Sequence, residues 1–316
     1  MCRPDETEEG VIPEDDHLQY MLGCLSDEEL EIAARTSYQY AKEGGNEEVR
    51  DKHAMAMARR YLKSKKNVDK ALDYMKATIQ FRSDMKIDRL RTVFDGKDLG
   101  HHQDEEKTPT SDDEDVDSNP NVDTEKFASQ LESRLSSKKN FVMGYDKEGR
   151  ATFHFIPRCT QHHDLEWTML ESIYTMERAI ACSERRRGDG SINAMIDCAG
   201  LKQWAHTPPM NVGKYFLKTL RRHYIGHIQK IFILDAPLGF AWLWKILSPF
   251  VGTATRNKIV FLSGTDEKMS YLSGPQCYYE ESEAAPWMLE SGKKDRELDM
   301  QEYLYRTPFD RAFDDA

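Results

Sequence analysis

Lys230-Ile-Phe-Ile-Leu-Asp-Ala-Pro-Leu-Gly-Phe240, continued by Ala241-Trp-Leu-Trp-Lys-Ile-Leu-Ser-Pro-Phe250, decides the fold of this chain. Residues 231–234 are four apolar side chains in a row, closed by Asp-Ala-Pro-Leu-Gly. A run that short between turn residues reads as a buried strand. From Phe240 to Leu247 the spacing predicts a helix that is apolar on nearly every side. Such a helix is either fully buried or meets two apolar environments in turn. A strand, a tight turn and an all-round apolar helix form half of a crossover unit, and a further apolar run at 259–262 supplies the next strand.

Working upstream, the same alternation recurs. Residues 192–196 read as a strand. After a loop through Pro208-Pro209 comes a helix carrying Val212, Tyr215, Phe216, Thr219, Leu220 and His223 on one face. Asp164 predicts the cap of another helix, with Leu165, Met169, Ile173, Met176 and Ile180 on its apolar side. Residues 141–145 and 151–156 are strands flanking Asp146-Lys-Glu-Gly149, a turn with glycine where positive φ is needed. Strands joined by helices give an α/β fold with a mostly parallel sheet. Near the N-terminus the pattern is purely helical. Ser26 and Glu29 fit a capping box, residues 47–62 read as a helix, and Asn67 caps a second one bearing Val68, Ala71, Leu72, Met75 and Ile79. Lys63-Ser-Lys-Lys66 joins these two helices.

Charge divides the 316 residues sharply, although the net value is only −11. Residues 1–45 hold 3 Lys/Arg against 12 Asp/Glu, residues 95–124 hold 2 against 11, and residues 276–316 hold 5 against 11. By contrast 46–94 has 13 against 7 and 125–275 has 21 against 14. This predicts an acidic N-terminal extension (1–45), a small N-terminal helical unit (46–94), an acidic disordered linker (95–124), an α/β domain (125–275) and an acidic C-terminal extension (276–316). Cationic folded parts suit an anionic membrane surface. Nucleic acid as a partner is disfavoured, since no basic stripe is interleaved with aromatics. The apolar runs are too short for a spanning helix, and the acidic start does not resemble a secretory leader. Six widely spaced cysteines fit free thiols in a reducing compartment, so a cytoplasmic protein is expected.

Four stretches carry a family resemblance. They are the quoted 230–250 segment with Thr255-Arg-Asn-Lys-Ile-Val-Phe261, the helical run Arg60-Tyr-Leu-Lys-Ser-Lys-Lys-Asn-Val-Asp-Lys-Ala71 with Thr78-Ile-Gln-Phe-Arg82, Asp146-Lys-Glu-Gly-Arg150, and Ile196-Asp-Cys-Ala-Gly200. In this order they resemble the CRAL-TRIO lipid-binding family, over roughly 48–90 and 126–265. The resemblance implies a sheet flooring an apolar lipid pocket covered by helices, with Phe240–Leu247 as a mobile gate. It implies pocket and gate residues Phe153, Phe155, Ile192, Ala194, Phe240, Leu243, Trp244, Leu247 and Phe250. Trp242 with Lys63, Lys65 and Lys66 would touch the membrane. Phosphoinositide-binding members use a Thr and a Lys after the gate, and Thr255 and Lys258 fill those positions. A Glu-Arg pair of those members is replaced here by Gly226 and His227, which leaves His227 as the third headgroup candidate. The serine and threonine that contact phosphatidylcholine in such members are replaced by Ile192 and Ala194, so choline is disfavoured.

Together these readings predict a monomeric, non-enzymatic carrier of a phospholipid such as phosphatidylinositol, without a cofactor, cytoplasmic and transiently membrane-associated. A lipid-sensing regulatory or scaffold protein stands as the alternative. An α/β enzyme ranks lower: no G-x-S-x-G elbow, P-loop or G-x-G-x-x-G exists. Cys159 with His162 and His163 lacks a fourth zinc ligand. Asp197 and Asp235, at strand ends where α/β ligand sites lie, are more simply loop-binding groups.

Overall fold

The computed structural model describes residues 14–95, 120–161, 164–202, 210–237, 239–273, 277–280 and 298–313. Its centre is a five-stranded sheet of β1 (Asn140–Tyr145), β2 (Ala151–Phe155), β3 (Ile192–Asp197), β4 (Ile228–Leu234) and β5 (Ile259–Leu262), arranged in chain order. β1 and β2 form an antiparallel hairpin, and β2 to β5 run parallel. The hairpin turn is built as its residues require. Asp146 Oδ1 accepts from the amides of Glu148 and Arg150, and Gly149 takes φ +78°.

Helices follow from capping chemistry and apolar spacing. In the N-terminal unit, α1 (Glu14–Gly23), α2 (Asp27–Ala34), α3 (Tyr38–Glu43), α4 (Glu47–Lys65) and α5 (Val68–Asp84) precede the short α6 (Ile87–Arg91). The capping box at α2 is present in both directions: the Glu29 amide donates to Ser26 Oγ, and the Ser26 amide donates to the Glu29 carboxylate. Asn46 and Asn67 cap α4 and α5. Next come α7 (Pro120–Leu135) and, capped by Asp164, the 23-residue α8 (Leu165–Arg187), which ends at Gly188 in the left-handed region. The later crossovers use α9 (Met210–His223), α10 (Phe240–Leu247) and α11 (Thr253–Arg256), and α12 (Thr265–Leu272) follows β5.

The described parts of the two segments read as acidic extensions from charge are packed. Leu18, Met21, Ala33 and Ala34 share one fully buried core with Met57, Ala58 and Met75 of α4 and α5. Charge counting missed this because the acidic residues cluster in the first turns of α1 and α2, outside the apolar face. Residues 298–313 likewise lie against α8, burying Tyr303, Leu304, Phe309 and Ala312. The predicted linker lies mostly outside the described residues, but its last five positions already belong to α7.

The helical unit is locked to the sheet domain by a buried ion cluster. Glu177 of α8, 1% exposed, receives Arg82 Nη1 at 2.8 Å and Arg91 Nη2 at 2.5 Å, and the Tyr224 hydroxyl donates to it at 2.8 Å. Alongside, Phe81 stacks on His223 with centroids 4.1 Å apart, and Tyr61 donates to Thr78 at 2.7 Å.

Candidate functional site

Strand register sorts the sheet into two unlike faces. Phe153, Ala194, Ile231 and Ile259 are cross-strand partners and form one row; Phe155, Ile196, Ile233 and Phe261 form the next. In a parallel sheet such partners point to the same side, so this face is wholly apolar. In its β1–β3 half Phe153, Ile192 and Ala194 are buried with Met176, Ala179 and Ile180 of α8. Toward β5 the cover thins. Phe155, Ile196, Ile231 and Ile259 are half-buried and Phe261 is 43% exposed, while Ile233 between Ile196 and Phe261 is buried. The opposite face is filled instead: Met195, Phe232, Leu234 and Leu262 are buried with Leu272 of α12 and Tyr279.

The gate candidate lies along the thinly covered rows. Phe240 and Trp244 of α10 each meet the Phe261 ring edge-on, at 6.0 and 5.9 Å between centroids. Pro237 and Gly239 lead into this helix, and the Phe240 amide donates to the Pro237 carbonyl. The side chains of Trp242, Leu243, Leu247 and Phe250 lie outside the described part of the structure, as do His162 and His163. From α9, Val212 is buried and Phe216 and Leu220 are half-buried, while Tyr215 is exposed. Of the other pocket candidates, Phe153, Ile192 and Ala194 are buried with residues of α8, and Phe155 belongs to the thinly covered row.

Thr255 and Lys258 follow the gate on α11 and the turn into β5. The Lys258 amide donates to the Thr255 carbonyl at 3.0 Å, so the turn itself fixes their spacing. Lys258 is half-buried, and its ammonium donates to the Ile228 carbonyl at 2.6 Å. Among the described residues it has no carboxylate partner. Partial burial and then the neighbouring Lys230 hold its pKa below the ordinary lysine value. A cation in that state gains from any anion brought to it.

His227 is placed differently. Its Nδ1 lies 2.7 Å from the Gly190 carbonyl and its Nε2 lies 2.5 Å from Arg60 Nη1. Arginine only donates and a carbonyl only accepts, which assigns the proton to Nδ1 and a lone pair to Nε2. Burial first, and Arg60 next, push its pKa down to about 3, so the ring is neutral. Both nitrogens are occupied by protein groups, and His227 turns inward while Lys258 ends beside the adjacent Ile228.

The basic junction is brought against a second basic end that the sequence reading did not single out. The Lys65 ammonium lies 3.7 Å over the Tyr74 ring, and the Arg222 guanidinium lies 5.1 Å from the same ring. Lys65 has a lowered pKa through partial burial and then Arg221, Lys70 and Arg222. Exposed Lys63 and Lys66 therefore sit at the margin of a cationic cluster made by the C-terminal ends of α4 and α9. The available signal was Arg221-Arg222-His223 closing an amphipathic helix.

The two strand-end aspartates are engaged with loops. Asp197 is buried against Arg158 at 2.9 Å, and Asp235 receives Lys268 at 2.8 Å and the Gly264 amide at 2.9 Å. Cys198, beside them, has its thiol pushed up to about 12 by burial and then by Asp197, which keeps it protonated. Among the described residues no helix is long and apolar enough to cross a membrane.

Comparison with known proteins places this geometry. Residues 135–277, which hold all five strands and α8 to α12, match the CRAL/TRIO domain. A CRAL-TRIO domain-containing protein of Schizosaccharomyces pombe is 22% identical over 132 residues, 42% of this chain and 13% of that protein. The phosphatidylinositol transfer protein PDR17 of Saccharomyces cerevisiae is 24% identical over 129 residues, 39% of this chain and 36% of its own length. The matched part is thus well under two thirds of either relative. The crystal structure of Sfh5 superposes with a TM-score of 0.55 at 10% identity, covering 94% of this chain and 98% of the other, a likeness of fold. The family model that residues 135–277 match is thus that of the CRAL/TRIO domain, over a little under half of this chain.

Proposed function

We propose that this protein sequesters one phospholipid, with its acyl chains on the apolar sheet face and its headgroup phosphate toward Thr255 and Lys258, and exchanges it at membranes by movement of α10. The single observation that carries this reading is the pair of apolar rows ending at Ile259 and Phe261, thinly covered on one face of a sheet whose other face is packed. A folded domain gains by covering such a surface, and each methylene buried there stabilises the complex by roughly 0.8 kcal/mol. The CRAL/TRIO domain and the similarity to a phosphatidylinositol transfer protein support lipid binding and transfer as the class of activity. Lys258, an under-paired cation beside a hydroxyl, supports an anionic headgroup such as that of phosphatidylinositol. The cationic cluster around Lys65 and Arg222 supports docking on an anionic bilayer.

Mass spectrometry of organic extracts of the purified protein, followed by transfer between liposomes, tests the proposal. A co-purifying phospholipid and its transfer are expected. Lys258→Ala is expected to cut extraction of an anionic phospholipid roughly tenfold, the order of one hydrogen bond to a charged group, and of a neutral one far less. Equal loss for both lipids removes Lys258 from the headgroup site; a protein with no lipid and no transfer removes the proposal.

A further inference from the structure

A cavity of about 210 Å³ lies between α6, α8 and residues 304–309, and no sheet residue lines it. Phe94, Tyr174, Tyr305 and Phe309 give it flat apolar walls, Asp95 stands at its exposed side, and Arg178 lines its interior. Arg178 is the notable group. It is fully buried, yet among the described residues no carboxylate lies within ion-pair distance of it. Its Nη2 donates to the carbonyls of Thr307, Pro308 and Arg311 at 3.1, 3.3 and 3.4 Å, and Nε reaches Arg311 at 3.4 Å. Nη1 has one contact, the Tyr174 hydroxyl at 3.3 Å. Tyr303 lies beneath the guanidinium at 3.7 Å.

Three of the four carbonyl contacts exceed the ordinary N–H···O range of about 2.7–3.2 Å. Elsewhere in the same core the protein pairs its arginines: Arg82 and Arg91 share Glu177. Arg91 also lines this cavity, but its donors are taken by Glu177 and the carbonyls of Arg35 and Thr36. Arg178 therefore keeps a buried positive charge with donor capacity to spare, next to a hollow. Buried charges are stable when an opposite charge completes them.

We propose that this cavity binds a small aromatic anion, its ring lying against the continuous wall that Phe94, Tyr174 and Phe309 form by packing edge-on to one another, and its carboxylate on the Arg178 guanidinium. The size suits that class: an apolar cavity of roughly 150 Å³ already admits benzene, and the additional space accommodates a carboxylate. Aromatic walls match a flat ring, and a planar guanidinium matches a planar carboxylate. Asp95 at the rim opposes the anion's charge and limits its affinity. The site is separate from the lipid face, so occupancy of one leaves the other available.

Titration calorimetry on the full chain, with benzoate as the probe, benzyl alcohol as its neutral analogue and inorganic phosphate as the anion without a ring, tests this. Expected are saturable 1:1 binding of benzoate, at least tenfold weaker binding of benzyl alcohol and of phosphate, and the same benzoate affinity after loading with phospholipid. Asp95→Asn is expected to tighten benzoate about threefold by removing the opposing charge, and Arg178→Met to abolish binding. If Arg178→Met fails to fold because residues 307–311 lose their anchor, Asp95→Asn decides. The proposal is overturned by absence of benzoate binding, by equal affinity for benzyl alcohol or phosphate, by competition from the phospholipid, or by unchanged affinity in Asp95→Asn.

Discussion

Glu177 shows how much one side chain governs here. Burial alone would raise its pKa, but Arg82 and Arg91 outweigh that cost and hold it at about 2. Removing the carboxylate charge leaves two guanidiniums buried without it. Glu177→Gln is therefore expected to destabilise the protein by about 3–5 kcal/mol, read from the urea midpoint. Because its folded pKa is depressed, the stabilisation from Glu177 is full above the unfolded carboxylate range and disappears as pH falls toward 2; the variant should lack that acid-dependent part. The histidines act in a higher window. Burial first, then Arg222, brings His223 down to about 4, while His227 lies at about 3. An unfolded chain protonates both near 6.5, so folding loses stability as pH drops below that value, by up to about 1.4 kcal/mol per pH unit for each ring. His227→Gln should remove about half of this slope in denaturation series run from pH 7 down to 5. An unchanged slope would mean that the ring is already charged in the folded protein.

At the level of single elements, local chemistry sets the ends and packing sets the faces. Gly188 closes α8 with φ +83° and nothing within 4 Å of the place a Cβ would take. Gly188→Ala therefore introduces backbone strain and no clash, and should cost about 1 kcal/mol, seen as a lower denaturant midpoint with unchanged slope. The five strands were legible because runs such as 231–234 and 259–262 are short, apolar and bounded by turn residues. β4 begins at Ile228, three residues before its apolar run, because Ile228 pairs with Ile192 across the sheet. α1 was not legible: only Leu18, Met21 and Leu22 of its ten residues are buried, too few for a periodic pattern. α12 hides for the same reason, with only Lys268 and Leu272 inside. The span of α10 could be read from its composition, apolar but for Lys245. The surroundings of Lys258 and His227 could not, since Ile228, Gly190 and Arg60 reach them through crossovers that no local spacing encodes. Glu177 and Arg178 did leave a trace, as two charges set among the apolar positions Ile173, Tyr174, Ile180 and Ala181 of one long helix.

Across the whole molecule, acidic and basic segments fold against each other. Arg59 meets Glu14 at 3.4 Å and Asp15 at 3.7 Å, and Lys42 meets Asp310 at 3.6 Å. These pairs are partly exposed, so each adds little to stability. What they leave is the cationic end formed by α4 and α9, facing outward. Transfer to anionic vesicles should therefore slow about tenfold between roughly 50 and 500 mM salt, whereas lipid already held should stay bound through the same range. Fluorescent-lipid transfer and gel filtration of loaded protein check the two halves; salt-insensitive transfer would contradict electrostatic docking. The C-terminal segment reaches the border of the sheet as well: the Val142 amide of β1 donates to the Tyr303 hydroxyl at 3.0 Å, and the Ala312 amide donates to Tyr145. An outer strand whose amides stay unclaimed is a template for another chain. By filling that margin with a phenol, residues 298–313 deny incoming strands a foothold, and trimming them away would convert a non-adhesive border into one prone to self-association.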